Sequence, residues 1–445
     1  MRVIILALYT ICVSSFSYGD QRPSADPVTE HPDLTPFGAL KSGNESGTIP
    51  SWSGDETTHS LKQEKPLYVV TSQNQKQYAA QLNEGQIALL NTYPDSYRVP
   101  VYPSHRTAAA PEWVYRNTIA NRQSAKLVNG GNGIHSAYGG IPFSIPTDET
   151  GQYDAQKIVW NHLARWRGIS LQFSSSEAAV KANGSYSLIS SDFMVTFPFY
   201  YPEGSFKDAN NVLSYFIASI RKPARLAGGS VLVHETLDRT LEPRQAWVYS
   251  AGTRRVRRAP SVAYDMPVAG SDNLLTADNV DMFNGALDRY HWHFVEKREL
   301  LIPYNNILLS SHASDHRNLI EKGHINPDLT RYELHRVWVI EARLKSEFRH
   351  IYIKRRFYLD EDSWNIVQAD QYDVRGNLWR VQLAYLMNYE HVPVTWSALT
   401  ANYDLQSKRY FAGFLDNSNG IALKFNDEVP PKSQFKPQAL RRMGR

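Results

Sequence analysis

The chain has 445 residues, 42% hydrophobic, 21% charged and 12% aromatic, too apolar for a disordered chain and too polar for a multispanning membrane protein. Lys and Arg number 48 against 44 Asp and Glu, a formal net charge of +4, without the concentrated basic footprint of a dedicated nucleic-acid binder, so no nucleic-acid partner is expected. The single cysteine, Cys12, falls inside a targeting segment, which leaves the mature chain without disulfides, thiol catalysis or cysteine-ligated metal.

Residues 1–19 have the layout of a secretory signal peptide: Arg2, an apolar run from Val3 to Val13, then small Ser17 and Gly19 ahead of Asp20. Tyr9, Thr10 and Ile11 before Cys12 do not form the small-residue box of a lipoprotein. No later stretch approaches the ~18 consecutive apolar residues of a membrane span, so the mature chain is expected to be exported without a transmembrane helix. Export without cysteines points to a bacterial periplasm.

Residues 20–65, rich in Pro, Gly, Ser, Thr and Asp, read as an extended arm lying on a larger body formed by residues 66–445. The body opens with a helical part, 72–168. Tyr78, Leu82, Ile87 and Leu90 predict one helix up to Pro94, Trp113, Val114, Ile119 and Ala120 a second after Pro111, and Ile158, Val159, His162, Leu163 and Trp166 a third over 154–167. The glycine-rich segment 129–146 lacks both the GK[ST] of a P-loop and G-x-G-x-x-G spacing and reads as a turn-rich crossing.

From Gly184 to about residue 416 the period becomes two. Phe193, Val195, Phe197 and Phe199 share one parity, and further strands are predicted over 212–220, 231–237, 246–250, 254–258, 332–344, 351–359, 364–373, 378–389 and 395–405. Short junctions at Ala251-Gly252-Thr253, Asp360-Glu361-Asp362 and Arg375-Gly376-Asn377 read as hairpins, hence an antiparallel meander. Residues 276–289 predict a helical insert through Val280, Met282, Phe283, Ala286 and Leu287, and 417–445 a C-terminal tail. Tyr332, Leu334, Trp338, Ile340, Ala342 and Leu344 form one apolar stripe broken only by Arg336, so helices, a hydrophobic ligand or both must cover it.

There is no G-x-S-x-G, H-E-x-x-H or EF-hand pattern, and no enzyme activity or cofactor is expected. His291 and His293, at i and i+2 on a strand, are the weak metal candidates, with Asp288 or Glu296 as a carboxylate. His312 and His316 with Asp315 form a second fragment that reads as a solvated loop. The basic runs 254–258 and 354–356 read as surface charge, with an anionic partner as the alternative. Asp370 and Asp373, three apart on a strand, face opposite ways and do not make an acid/base pair.

Several long segments resemble one family. DLTPFGALKSGNESGTIPSWSG (33–54), TYPDSYRVPVYPSHRTAAAPEWVY (92–115), GGNGIHSAYGGIPFSIP (130–146), IVWNHLARWRG (158–168), QAWVYSAGTRRVRRAPSVAYD (245–265) and KRRFYLDEDSWNIVQADQYDVRGNLWRV (354–381) resemble periplasmic proteins of unknown function labelled outer-membrane lipoprotein-sorting-like, nearly end to end. The resemblance implies a mainly β, α+β fold like LolA and LolB, an incomplete antiparallel β-barrel covered by helices. It also implies a setting beside an RND-type exporter and an outer-membrane barrel, and assigns no catalytic residue. The resulting expectation is a periplasmic binding or carrier protein for a lipid or other hydrophobic ligand. Its lining candidates are Phe193, Phe197, Phe199, Trp247, Trp338 and Ile340, with Arg336 as the polar contact to a headgroup. The alternatives are a ligand-free adaptor that docks through its arm and a metal-dependent enzyme built on His291 and His293.

Overall fold

A computed structural model describes residues 31–54, 58, 61–259, 264–310, 315–416 and 420–443. The signal segment, Cys12 and His312 lie outside the described residues. In chain order the strands are β1 (Tyr68–Val70), β2 (Val99–Val101), β3 (Lys126–Val128), β4 (Gly133–His135), β5 (Ser170–Val180), β6 (Tyr186–Thr196), β7 (Val212–Lys222), β8 (Ser230–Thr236), β9 (Gln245–Ser250), β10 (Arg255–Arg258), β11 (Tyr290–Pro303), β12 (Tyr332–Leu344), β13 (Lys354–Asp360), β14 (Ile366–Tyr372), β15 (Leu378–Tyr389), β16 (Val394–Asp404), β17 (Arg409–Leu415) and β18 (Lys424–Asn426). The helices are α1 (Glu84–Thr92), α2 (Glu112–Ser124), α3 (Ala155–Leu163) and three single turns, α4 (Phe206–Ala209), α5 (His316–Leu319) and α6 (Leu440–Met443).

One large sheet runs β1-β2-β12-β13-β14-β15-β16-β17-β5-β6-β7-β8-β9-β10, with β11 on β12 and β18 on β5; β3 and β4 pair separately. Its ladders are antiparallel except where β2 meets β12 at Tyr332. The path never returns on itself, so the barrel is incomplete, as expected. The turns follow from local chemistry: between β14 and β15 the Asp373 carboxylate accepts from the amides of Arg375 (2.9 Å) and Asn377 (3.0 Å), and Gly376 takes a φ of 80°.

Both faces of the sheet are covered. Along β15, Val381, Leu383 and Tyr385 pack in a core with Leu89 and Leu90 of α1, whereas Ala384 and Leu386 join a second core with Ile158, Val159 and Leu163 of α3. Such two-sided burial explains why the central strands carry buried side chains at nearly every position. Residues 36–42 hydrogen-bond to later elements of the chain. Arg122 donates to the Pro36 carbonyl (3.1 Å), Trp364 to that of Phe37 (3.0 Å) and Arg336 to that of Ser42 (3.0 Å).

Several expectations are corrected. The long strands begin at Ser170, before Gly184, because the consecutive Ser174, Ser175 and Ser176 and Ala178 and Ala179 of β5 mute its apolar period, and short β1 and β2 join the same sheet earlier in the chain. The helix expected up to Pro94 splits into a 3₁₀ turn at Gln75–Gln81 and α1, because Asn83 makes a capping box with Gln86 between them. Residues 276–289 hold one 3₁₀ turn, Ala277–Asn279, and no α-helix; Asp281 and Met282 take φ of 55° and 67°, which an α-helix does not admit. Within the C-terminal tail, β18 pairs with β5, and Phe435 and Leu440 pack on the sheet. Arg355, placed by its neighbours in a surface run, is fully buried against Asp278 (2.7 Å) among the rings of Phe283, Tyr290, Tyr352 and Phe357. The run at β10 does stay exposed.

Candidate functional site

A cavity of about 380 Å³ opens between the arm and the β11–β12 hairpin, within the size range of small-molecule sites. Leu34, Gly38 and Leu40 of the arm, Ile145, Pro146 and Tyr153 give it apolar walls; Lys297, Glu299, Arg336 and Trp338 line the side formed by the sheet. Gly38 is what lets the arm come this close: it has a φ of 91°, and a Cβ there would stand 1.8 Å from the Ser144 carbonyl oxygen.

The sheet's alternation puts Arg336 and Trp338 on the same side of β12, two residues apart. Trp338 is 2% exposed and stacks on Trp364 (centroids 5.5 Å), with Tyr153 edge-on at 4.9 Å. The Lys297 ammonium sits over the Trp338 ring at 4.2 Å and also pairs with Glu361. The indole Nε1–H of Trp338 is buried and has no acceptor among the described residues. A buried donor left unpaired costs on the order of 1–3 kcal/mol, which a ligand acceptor would recover. Arg336 keeps one hydrogen bond to the arm and lies 4.0 Å from Glu299, so its guanidinium is anchored but not saturated.

The other predicted lining residues do not gather here. Phe193 lies against Phe173 (4.8 Å) and Phe216 (5.8 Å) and is not among the residues lining the cavity. β6 stops at Thr196, and Pro198 opens a 3₁₀ turn that carries Phe197 and Phe199 into the core, 2% and 0% exposed. Ile340 is likewise fully buried core. Trp247 packs with His234 (4.8 Å) in the cluster beneath the C-terminal residues Phe435 and Leu440, apart from the cavity. His291 and His293 are exposed on β11, opposite Arg343 and Glu341, and belong to no group of three or more potential metal ligands among the described residues. Sequence reasoning missed Lys297 and Tyr153. Lys297 is on β11, whose first ten residues alternate poorly, and Tyr153 is in a loop with no periodic signal.

Beside the cavity, the turn joining β13 to β14 enters a buried polar cluster. Glu361 points to Lys297, while its neighbours Asp360 and Asp362 turn inward near His335 of β12. Arg106 grips Asp362 through Nε (2.9 Å) and Nη2 (2.6 Å), and its Nη1 donates to the arm carbonyls of Lys41 and Pro50. Burial, then the Asp362 charge, push the Asp360 carboxyl up to about 6. Glu333 has the opposite bias: although burial opposes it, His335 and Arg331 hold its carboxyl below the usual range.

Residues 69–441 match the family described as "Protein of unknown function (DUF1329)". The chain belongs to this family. It is 43% identical over 423 residues to "Uncharacterized protein PA3922" of Pseudomonas aeruginosa, covering 92% of this chain and 91% of that protein. Among solved structures it is similar to a candidate outer membrane lipoprotein-sorting protein domain from Vibrio parahaemolyticus (TM-score 0.44, 15% identity, 65% of this chain and 100% of that one). It is also similar to a DUF1329 family protein from Desulfovibrio piger (0.42, 14%, 61% and 92%) and to the LolA superfamily protein NE2245 from Nitrosomonas europaea (0.38, 15%, 63% and 97%). No helix among the described residues is long and apolar enough to cross a membrane, which leaves strand-built spans unaddressed.

Proposed function

We propose that the protein is a periplasmic binding or carrier protein for an amphipathic lipid or similar hydrophobic ligand, held in the cavity between the arm and β11–β12. The observation that carries this reading is that Trp338, whose buried N–H has no partner among the described residues, lines one cavity with Arg336, Lys297 and apolar residues of the arm. An apolar body would rest on Leu34, Leu40, Ile145 and Pro146, and an anionic or acceptor headgroup would meet Trp338 and Arg336. The volume suits one short chain or a compact amphiphile, not a whole diacyl lipid. Transfer to envelope machinery, an RND-type exporter and an outer-membrane barrel, belongs to the same proposal, and the protein acts in it without catalysis of its own.

Native mass spectrometry of the full chain purified from the periplasm tests the reading. A bound species of amphiphile mass, released on denaturation and identified by lipid extraction, is the expected result. A ligand-free mass under gentle conditions, with nothing extracted, would rule it out.

A further inference from the structure

The cluster at the β13–β14 turn has a chemistry that the carrier reading does not use. His335, Asp360 and Asp362 are 1%, 0% and 8% exposed, and one ligand atom from each lies within 4.8 Å of the others. We propose that these three side chains bind a divalent first-row cation such as zinc.

Three observations carry this. First, the two oxygens of Asp360 are unequal. Oδ2 accepts from the Ser363 amide (2.9 Å), the Ser363 hydroxyl (2.5 Å) and the Tyr304 hydroxyl (3.4 Å), whereas Oδ1 is buried and has no partner among the described residues. Second, Nε2 of His335 is taken by Glu333 at 3.1 Å, and Glu333 is itself fixed by Arg331 (2.5 Å), Asn305 (3.0 Å) and the His105 amide (2.8 Å). A carboxylate that holds one imidazole nitrogen orients the other for a metal, the arrangement usual behind histidine ligands. Third, Arg331 pairs with Glu333, Lys297 with Glu361 and Arg106 with Asp362, whereas no Lys or Arg pairs with Asp360 among the described residues. A divalent ion bridging Asp360 and Asp362 would take the place of that missing pair.

The donor set, one imidazole nitrogen and two carboxylates, suits zinc and leaves a coordination position for water. Asp362 keeps lone pairs for the ion while accepting from Arg106. The site would be structural, since it joins β12, the β13–β14 turn and, through Arg106, the arm carbonyls of Lys41 and Pro50. It does not depend on any ligand occupying the cavity.

The test uses the untagged full chain, stripped with chelator and titrated with Zn²⁺ by calorimetry, with thermal unfolding followed in parallel. One equivalent should bind with micromolar or tighter affinity, and saturation should raise the unfolding temperature by several degrees. His335→Gln and Asp360→Asn should each weaken binding about 100-fold. Glu333→Gln, which leaves all three ligands in place but loosens the orientation of His335, should weaken it about 10-fold and serves if the ligand variants do not fold. Absence of binding by the folded wild-type chain would overturn the proposal, as would unchanged affinity in folded variants.

Discussion

Arg336 was the one residue that broke an apolar stripe, and the interruption has a local cause. Its guanidinium reaches the Ser42 carbonyl and brings the arm down over Trp338. Trp338 was legible as apolar and buried, but its unpaired N–H was not, because only the packing of Tyr153, Trp364 and Lys297 removes water from the indole. Trp338→Phe keeps an aromatic ring and removes the donor, so affinity of the folded variant for an amphiphile should fall about 3- to 10-fold, the worth of one neutral hydrogen bond. Equal affinity in the variant would take Trp338 out of the site.

Asp370 is a second residue whose role the sequence concealed. It is fully buried and accepts from Gln368 (2.7 Å), Tyr358 (3.1 Å) and the Gly85 amide (3.2 Å), yet burial still pushes its carboxyl up to about 6. A carboxyl raised in the folded state binds its proton more tightly there than in the unfolded chain. Its contribution is therefore fully present below the unfolded value of about 4 and is lost as pH rises through about 6. Asp370→Asn should remove a fall in stability on the order of 1–3 kcal/mol between those limits, read by urea unfolding at pH 4.5 and pH 7. An identical difference between the two pH values in wild type and variant would contradict this.

At the scale of elements, long buried strands were the easiest to read. β12 and β15 fall on the predicted ranges 332–344 and 378–389, because a strand buried over most of its length keeps its apolar register. β11 was harder, since it is partly exposed and carries charge at Glu296, Lys297, Arg298 and Glu299. The segment 276–289 has helical spacing but no helix, because its acids answer to distant arginines. Asp278 binds Arg355, and Asp281 binds Arg165 and Arg167 (2.7 Å). Such long-range pairs override local periodicity and leave no mark on it.

The cap of α1 offers a test at this scale. Asn83 accepts from the Gln86 amide (2.9 Å) and donates to Gln368 (2.8 Å), joining the start of the helix to β14. Asn83→Ala should destabilise the protein by about 1–3 kcal/mol, combining a lost cap with a buried Gln368 left short of a partner. A change within about 0.5 kcal/mol by denaturant titration would mean that the cap is dispensable. The arm can be tested through Gly38→Ala, whose added methyl collides with Ser144 and should open the cavity wall, raising protease cleavage within residues 33–54. An unchanged cleavage pattern would show that the arm tolerates the shift.

At the scale of the whole molecule, an antiparallel meander was legible in alternation and hairpin spacing, and the incomplete barrel with its covering helices only in a resemblance running nearly the length of the chain. The candidate site was legible only in part. Arg336 and Trp338 reach the cavity, but Phe197, Phe199 and Ile340 are core and Trp247 packs beneath the C-terminal residues. Apolar parity marks which residues leave water. It does not distinguish those met by protein from those left for a ligand, because that depends on where an arm more than 200 residues away in sequence comes to rest.

The central claim, that this cavity holds an amphiphile by an apolar wall and a Trp338–Arg336 polar end, is met most directly by equilibrium titration of the full chain with a fluorescent fatty acid. Saturable one-to-one binding, weakened at least about tenfold in the folded double variant Arg336→Gln, Trp338→Phe, is the expected result. No saturable binding by the wild-type chain, or the same affinity in the double variant, would contradict the account.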